Sequence, residues 1–255
     1  MSRSSLKLLA LISMFCDHFS KVVLSAGILV PKIGVTANFW VRVMLCSFGT
    51  MAFPLFAFFT AEGCRKTGHP GKYLLRLFLF GVLSEAPFQL CFRSAYRDGF
   101  TIGCHNVMFT LFLAAGAVFL ARWLIGHKVP EIPAKLLTAA AAIVLGWVLY
   151  TDYNAWGVAL VLGIYYLPEE KERFTFMGAW ITCFYLIWHG WNGSGLAWIT
   201  DNQYQLILYW IGSMLSVPFA AIYNGEKGRN IKWLFYGFYP THLLLLYGIR
   251  ALILH

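Results

Sequence analysis

The chain has 255 residues, of which 59% are hydrophobic, 18% aromatic and only 12% charged, with a mean hydropathy of +0.65. A soluble domain carries about 25% charged residues, so that class is excluded and the whole length, 1–255, reads as a single integral membrane domain. The net charge of +9 would suggest nucleic acid in a soluble protein; here membrane topology accounts for it and no nucleic-acid partner is implied.

The first apolar run, residues 8–30, follows a basic start at Arg3 and Lys7 and looks like a signal peptide. It lacks a small-x-small cleavage site and is interrupted by Asp17 and His18, so an uncleaved first span is expected. His18 lies some twelve residues into it, roughly 18 Å deep at ~1.5 Å per residue in a hydrocarbon layer of about 30 Å. An ionisable group at that depth costs from about 2.5 kcal/mol upward and marks a protein interior rather than a lipid face.

Further along, the pattern predicts an all-α polytopic bundle of about nine spans. These are residues 7–30, 38–61, 73–92, 105–125, 134–150, 153–167, 174–188, 203–223 and 233–254, with short polar loops between them. Pro54, Pro87, Pro218 and Pro240 fall inside spans, and the fifth and sixth meet at Thr151-Asp152 as either a tight hairpin or one bent element. With the N-terminus in the cytoplasm, the inner segments hold thirteen lysines and arginines against four outside, the bias expected of a multi-pass protein of the inner membrane.

Counted along their spans, Glu85 and His242 lie at nearly the depth of Asp17 and His18. Arg42 falls in the outer part of the second span, Glu62 and Asn224 at inner ends, and Asn106 and Asp152 at outer ends. Neighbours on a helix point about 100° apart, so Asp17 faces Lys21 one turn on rather than His18, and whatever orients His18 must come from another span. An imidazole there is the natural proton acceptor. His242 follows Pro240 and is also placed to satisfy the carbonyl that a proline leaves unbonded.

Two inner loops combine glycines with cations. One carries Glu62, Gly63, Arg65, Lys66 and Gly68, then Lys72, Tyr73 and Arg76; the other carries Tyr223, Asn224, Gly225, Lys227, Gly228 and Arg229, then Lys232. Such loops suit a phosphorylated ligand, although basic inner loops are ordinary and neither matches a nucleotide-binding fingerprint. The six cysteines lack metal-type spacing, and no metal site is expected; a Cys91–Cys104 disulfide is allowed by position, but buried thiols are the plainer expectation. His69, His127, His189 and His255 fall in loops or at the terminus.

Taken in order, Met14-x-x-Asp17-His18, Arg42, Ala52-Phe53-Pro54-Leu55-Phe56 running into Glu62-Gly63 and Thr67, and Tyr73-Leu74-Leu75-Arg76-Leu77 resemble the TraX family. Asn106, Asp152-Tyr153, Tyr223-Asn224-Gly225, Lys232-Trp233 and Tyr236-x-x-Tyr239-Pro240-x-His242-Leu243 continue the resemblance. One position departs: where the family carries Gly-Arg before the A-F-P-L-F run, this chain has Gly49-Thr50, leaving Arg42 as the arginine of that span.

The resemblance implies a membrane acyltransferase that takes an acetyl group from cytoplasmic acetyl-CoA to an acceptor beyond the membrane, a pilin-like peptide or an envelope glycan. It implies His18 as general base, Asp17, Glu85 or His242 as its orienting or charge-stabilising partners, and Arg65, Lys66, Lys72, Arg76, Asn224, Lys227, Arg229 and Lys232 around the CoA phosphates. Arg42, Glu62, Asn106, Asp152 and Tyr239 complete the expected polar set, and membrane lipid surrounds the whole. The competing class is a proton-coupled transporter using the same midplane histidines and carboxylates, against which no inverted repeat is found.

Overall fold

The computed structural model describes residues 1–92, 103–189, 196–226 and 228–254, and among these residues the chain is helical with no strand. The helices are α1 (Arg3–Val22), α2 (Val30–Gly49), α3 (Ala52–Lys66), α4 (Pro70–Phe92), α5 (Val107–Gly126), α6 (Glu131–Val148), α7 (Asn154–Tyr166), α8 (Glu170–Cys183), α9 (Leu196–Met214), α10 (Ser216–Ala221) and α11 (Lys232–Leu254). A 3-10 turn, Leu24–Ala26, follows α1, and a π-helical turn, Phe184–His189, follows α8.

Six stretches among the described residues are long and apolar enough to cross a membrane: Arg3–Ala26, Val30–Lys66, Pro70–Phe92, Val107–Gly126, Glu131–Val148 and Tyr204–Ala221. The expected count was about nine. The other three expected spans correspond to α7, apolar but short, to α8, short and charged at its start, and to α11, which runs unbroken through Pro240. The anticipated loop at 31–34 is instead the first turn of α2, where Pro31 sits near the helix start and Gly34 makes a non-helical kink at φ +80°. The expected 203–223 span is two helices, broken at Leu215 three residues before Pro218.

By contacts the chain divides into two compact units, Met1–Phe56 with Phe174–His255, and Ala57–Arg173. In the first, α1 buries Leu6, Ala10, Leu11, Met14, His18 and Val22, the three- and four-residue spacing of one helix face. It packs almost backbone to backbone on α2 because Gly49 has no side chain: a Cβ there would lie 2.3 Å from the Asp17 Cβ. Ser13 Oγ donates to the Phe48 and Gly49 carbonyls at 2.8 and 3.1 Å, and Ser20 Oγ to the Arg42 carbonyl at 3.0 Å. α9 crosses the same end of α2, where Gly212 meets the Ser47 carbonyl and Thr50 Oγ1 donates to the Tyr209 carbonyl at 3.0 Å. The position at which a family arginine was expected is thus a helix-to-helix bond.

In the second unit, α5 is apolar around most of its circumference and accordingly buried by α4, α6 and α7. The sequence left open how residues 134–167 fold. They form a hairpin: Tyr150, Tyr153 and Asn154 take positive φ, and α7 returns against α6 at Gly146, where a Cβ would touch Val158 and the Asn154 carbonyl.

Candidate functional site

His18 sits on the buried face of α1, 9% exposed, and its ring partner comes from α11. The Nδ1 of His18 lies 2.7 Å from the Nε2 of His242, with the ring planes 9° apart and centroids at 5.0 Å. That separation is what the N···N distance plus two ring radii gives, so the rings meet edge to edge rather than face to face. The other nitrogen of His242, Nδ1, lies 2.7 Å from the Phe238 carbonyl one turn back, and the Phe238 ring stacks on the imidazole at 4.7 Å.

These contacts fix the protons of two neutral rings. A carbonyl oxygen only accepts, so His242 Nδ1 carries the hydrogen and its Nε2 must accept. His18 Nδ1 therefore donates, and His18 Nε2 holds the lone pair. Asp17 Oδ2 stands 3.9 Å from that atom, outside hydrogen-bond range. Asp17 is itself paired with Lys21 at 2.8 Å, one turn on, and its Oδ1 is buried with no hydrogen-bond partner among the described residues. Tyr239, 1% exposed, completes the surroundings, its ring 6.4 Å from that of His18 and 5.7 Å from that of His242. His242 thus bonds the Phe238 carbonyl; Pro240 would free the carbonyl of Tyr236.

The basic loop of the first unit is fastened to the start of α1. Arg3 N donates to the Glu226 carbonyl at 2.9 Å, Asn224 N to the Met1 carbonyl and Arg229 N to Ser4 Oγ, both at 3.0 Å. Gly228, at φ +64°, lies so close to Ser2 and Ser4 that a Cβ would clash with both hydroxyls. This adds Arg3 and Lys7 to the neighbourhood of Arg229, residues that sequence spacing did not group with that loop. The Asn224 amide donates to Glu226 at 2.9 Å. Lys227 lies outside the described residues, as does the side chain of Lys232.

In the second unit the other expected cations are less available. Arg65 Nη1 bonds Glu62 at 2.9 Å while Nη2 reaches the Ile164 and Tyr165 carbonyls at 2.5 and 2.7 Å, closing the end of α7. Lys66 pairs with Glu62 at 2.8 Å. Lys72 is exposed, and Arg76 is half-buried with its Nε lacking a partner among the described residues.

Glu85 is the hub of a second polar cluster. It receives His105 Nδ1 at 2.6 Å, Asn106 Nδ2 at 2.7 Å, Gln89 Nε2 at 2.9 Å and the backbone N–H groups of His105 and Asn106. Asn106 also caps α5 through Oδ1 to Met108 N and donates to the Gly81 carbonyl, while Asp152 N bonds the His105 carbonyl at 2.8 Å. A carboxylate at the start of α5 satisfies donors that the helix leaves unbonded. His105 was not singled out by the sequence, because it falls on a loop boundary. Cys91 and Cys104 are free thiols, so the allowed disulfide is not formed.

A helical membrane protein with a proton-ordered histidine pair on buried faces of two helices is the class that fold and site define. The chain belongs to the TraX family, whose model, described as TraX protein, matches residues 2–250. It is also similar to a probable fimbrial assembly protein FimC, serogroup H1, of Dichelobacter nodosus, at 30% identity over 262 residues, covering 96% of this chain and 94% of the relative. No solved structure matches the chain.

Proposed function

We propose that this protein is an acyltransferase of the cytoplasmic membrane, moving an acetyl group from acetyl-CoA at the inner face to an amine or hydroxyl arriving from the other side. The observation that carries the reading is the hydrogen-bond chain from His18 through His242 to the Phe238 carbonyl, which leaves a lone pair on His18 Nε2. A general base needs that lone pair.

The acceptor nitrogen or oxygen attacks the thioester carbonyl carbon while His18 Nε2 takes its proton. The carbon–sulfur bond then breaks, and the proton passes to the departing CoA thiolate, returning the ring to its neutral state. Asp17, 3.9 Å from Nε2, stabilises the imidazolium that exists between these steps. An acyl-histidine formed at the same nitrogen is a two-step variant of this chemistry. Arg229 and Lys232 of the first unit are the cations proposed for the CoA phosphates; Arg65 and Lys66 are engaged by Glu62 and serve the fold first. Glu85 is satisfied by donors of its own cluster and has no step here.

A relative named for fimbrial assembly favours a pilin-like peptide over an envelope glycan as acceptor. Mass spectrometry of envelope proteins and glycans from cells with and without this protein tests the reading. One species should lose an acetyl group when the protein is absent; identical acetylation in both samples would overturn it.

A further inference from the structure

α1 and α11 run parallel: Lys7 Nζ lies 4.0 Å over the Phe235 ring near their starts, and His18 meets His242 further along. Between those two levels the helices leave an open groove lined by Leu8, Leu11, Ile12 and Phe15 of α1 and Leu234 and Phe238 of α11. Leu11, 3% exposed, is its floor, while Leu8, Ile12 and Leu234, at 48%, 49% and 51%, form the rims. The wall offers no polar atom to a guest. Amides of a pantetheine arm would lose their hydrogen bonds there, whereas an alkyl chain gives up nothing.

One end of the groove is cationic. Arg3 and Lys7 stand on the first turns of α1, and Arg3 Nη2 is buried with no hydrogen-bond partner among the described residues. The acid nearby is Glu226, whose carboxylate accepts from Asn224. A guest that suits both ends has a negative head and a hydrocarbon tail.

We propose that this groove binds one acyl chain of an anionic phospholipid, its phosphate against Arg3 and Lys7 and its chain running toward Phe238. Phe238 stacks on His242, so a single ring separates the bound chain from the histidine pair. The site stands apart from acetyl transfer and holds whether or not that reaction is the correct one.

The test uses the full chain in a neutral detergent, melted with added phosphatidylglycerol, with phosphatidylcholine of the same chains, or with sodium phosphate. Phosphatidylglycerol should raise the melting temperature by several degrees, phosphatidylcholine by less than half as much, and phosphate not at all. Ile12→Trp, filling the groove from its rim, should remove the lipid shift; Leu8→Trp serves the same purpose if that variant folds poorly. Lys7→Gln should erase the preference for the anionic lipid while keeping the chain-dependent part. Equal shifts from both lipids, a matching shift from phosphate alone, or a full phosphatidylglycerol shift in the filled variants would each overturn the proposal.

Discussion

His18 and His242, 224 positions apart in the chain, share one hydrogen bond of 2.7 Å between rings that lie within 9° of a common plane. The bond does more than hold α1 to α11. Because the far side of His242 is committed to a backbone carbonyl, the pair has one proton arrangement as neutral rings, and it leaves the base on the α1 side.

Replacing His242 should therefore lower the chemical step without weakening donor binding. His242→Phe removes the acceptor for His18 Nδ1–H, so the two tautomers of His18 compete. A loss of about 10- to 100-fold in kcat is expected, with the KM for acetyl-CoA unchanged. His242→Gln, whose carbonyl oxygen can still accept, should recover part of it. Steady-state kinetics on the two variants decides between positioning and mere packing.

Gly49 sets the distance between α1 and α2 at the level of Asp17. Gly49→Ala forces its new methyl group to within 2.3 Å of the Asp17 Cβ and 2.8 Å of its Cα, and the helices must part. Overpacking of this kind costs about 1–3 kcal/mol, so a lower melting temperature and displaced Asp17 and His18 are expected. Melting in detergent reads the first effect, and activity at a permissive temperature reads the second.

How much of this was legible in the sequence depends on how far apart the partners lie. Asp17 with Lys21 was readable because four residues is one helical turn. The coincidence of His18 and His242 was readable as equal depth, though depth says nothing about which faces meet. Arg65 was not readable as a clamp: its contacts with Ile164 and Tyr165 depend on where α7 ends, about 100 positions later, and a cation in a glycine-bearing loop looks the same whether it binds a ligand or a carbonyl. Glu85 carried a depth and had Gln89 one turn on, but His105 and Asn106 come to it by the fold of a loop and not by any periodicity.

Arg65 and Glu62 should consequently behave as structural residues. Arg65→Lys keeps the charge but cannot reach a carboxylate and two carbonyls at once, so about 1–3 kcal/mol of stability is expected to be lost. If Arg65 acted on the donor instead, the lysine variant would keep its melting temperature and raise the KM for acetyl-CoA.

Glu85→Ala strands several buried donors in one step, each worth about 1–3 kcal/mol when unsatisfied, and should prevent stable folding of the second unit. Glu85→Gln keeps one acceptor oxygen and should fold with reduced stability. Protease resistance of the two variants in membranes reads the difference.

Cys104 reports on the same carboxylate. Burial, with Glu85 nearby, pushes its thiol up from the ordinary value, so less thiolate exists at any given pH than on a free cysteine. Its alkylation, followed by mass spectrometry of the Cys104 peptide, should reach half its maximal rate at a higher pH than a simple thiol does. In Glu85→Gln the negative neighbour is gone, and the profile should move back toward lower pH.

Radiolabelled acetyl-CoA, added to membranes carrying the wild-type chain or a folded His18→Ala variant, addresses the proposed reaction most directly. The wild type should pass label to a membrane or envelope acceptor and release CoA in equal amount, and His18→Ala should do so about 100- to 10,000-fold more slowly. Undiminished transfer by His18→Ala, or movement of a solute by the wild type with no CoA released, would contradict the account.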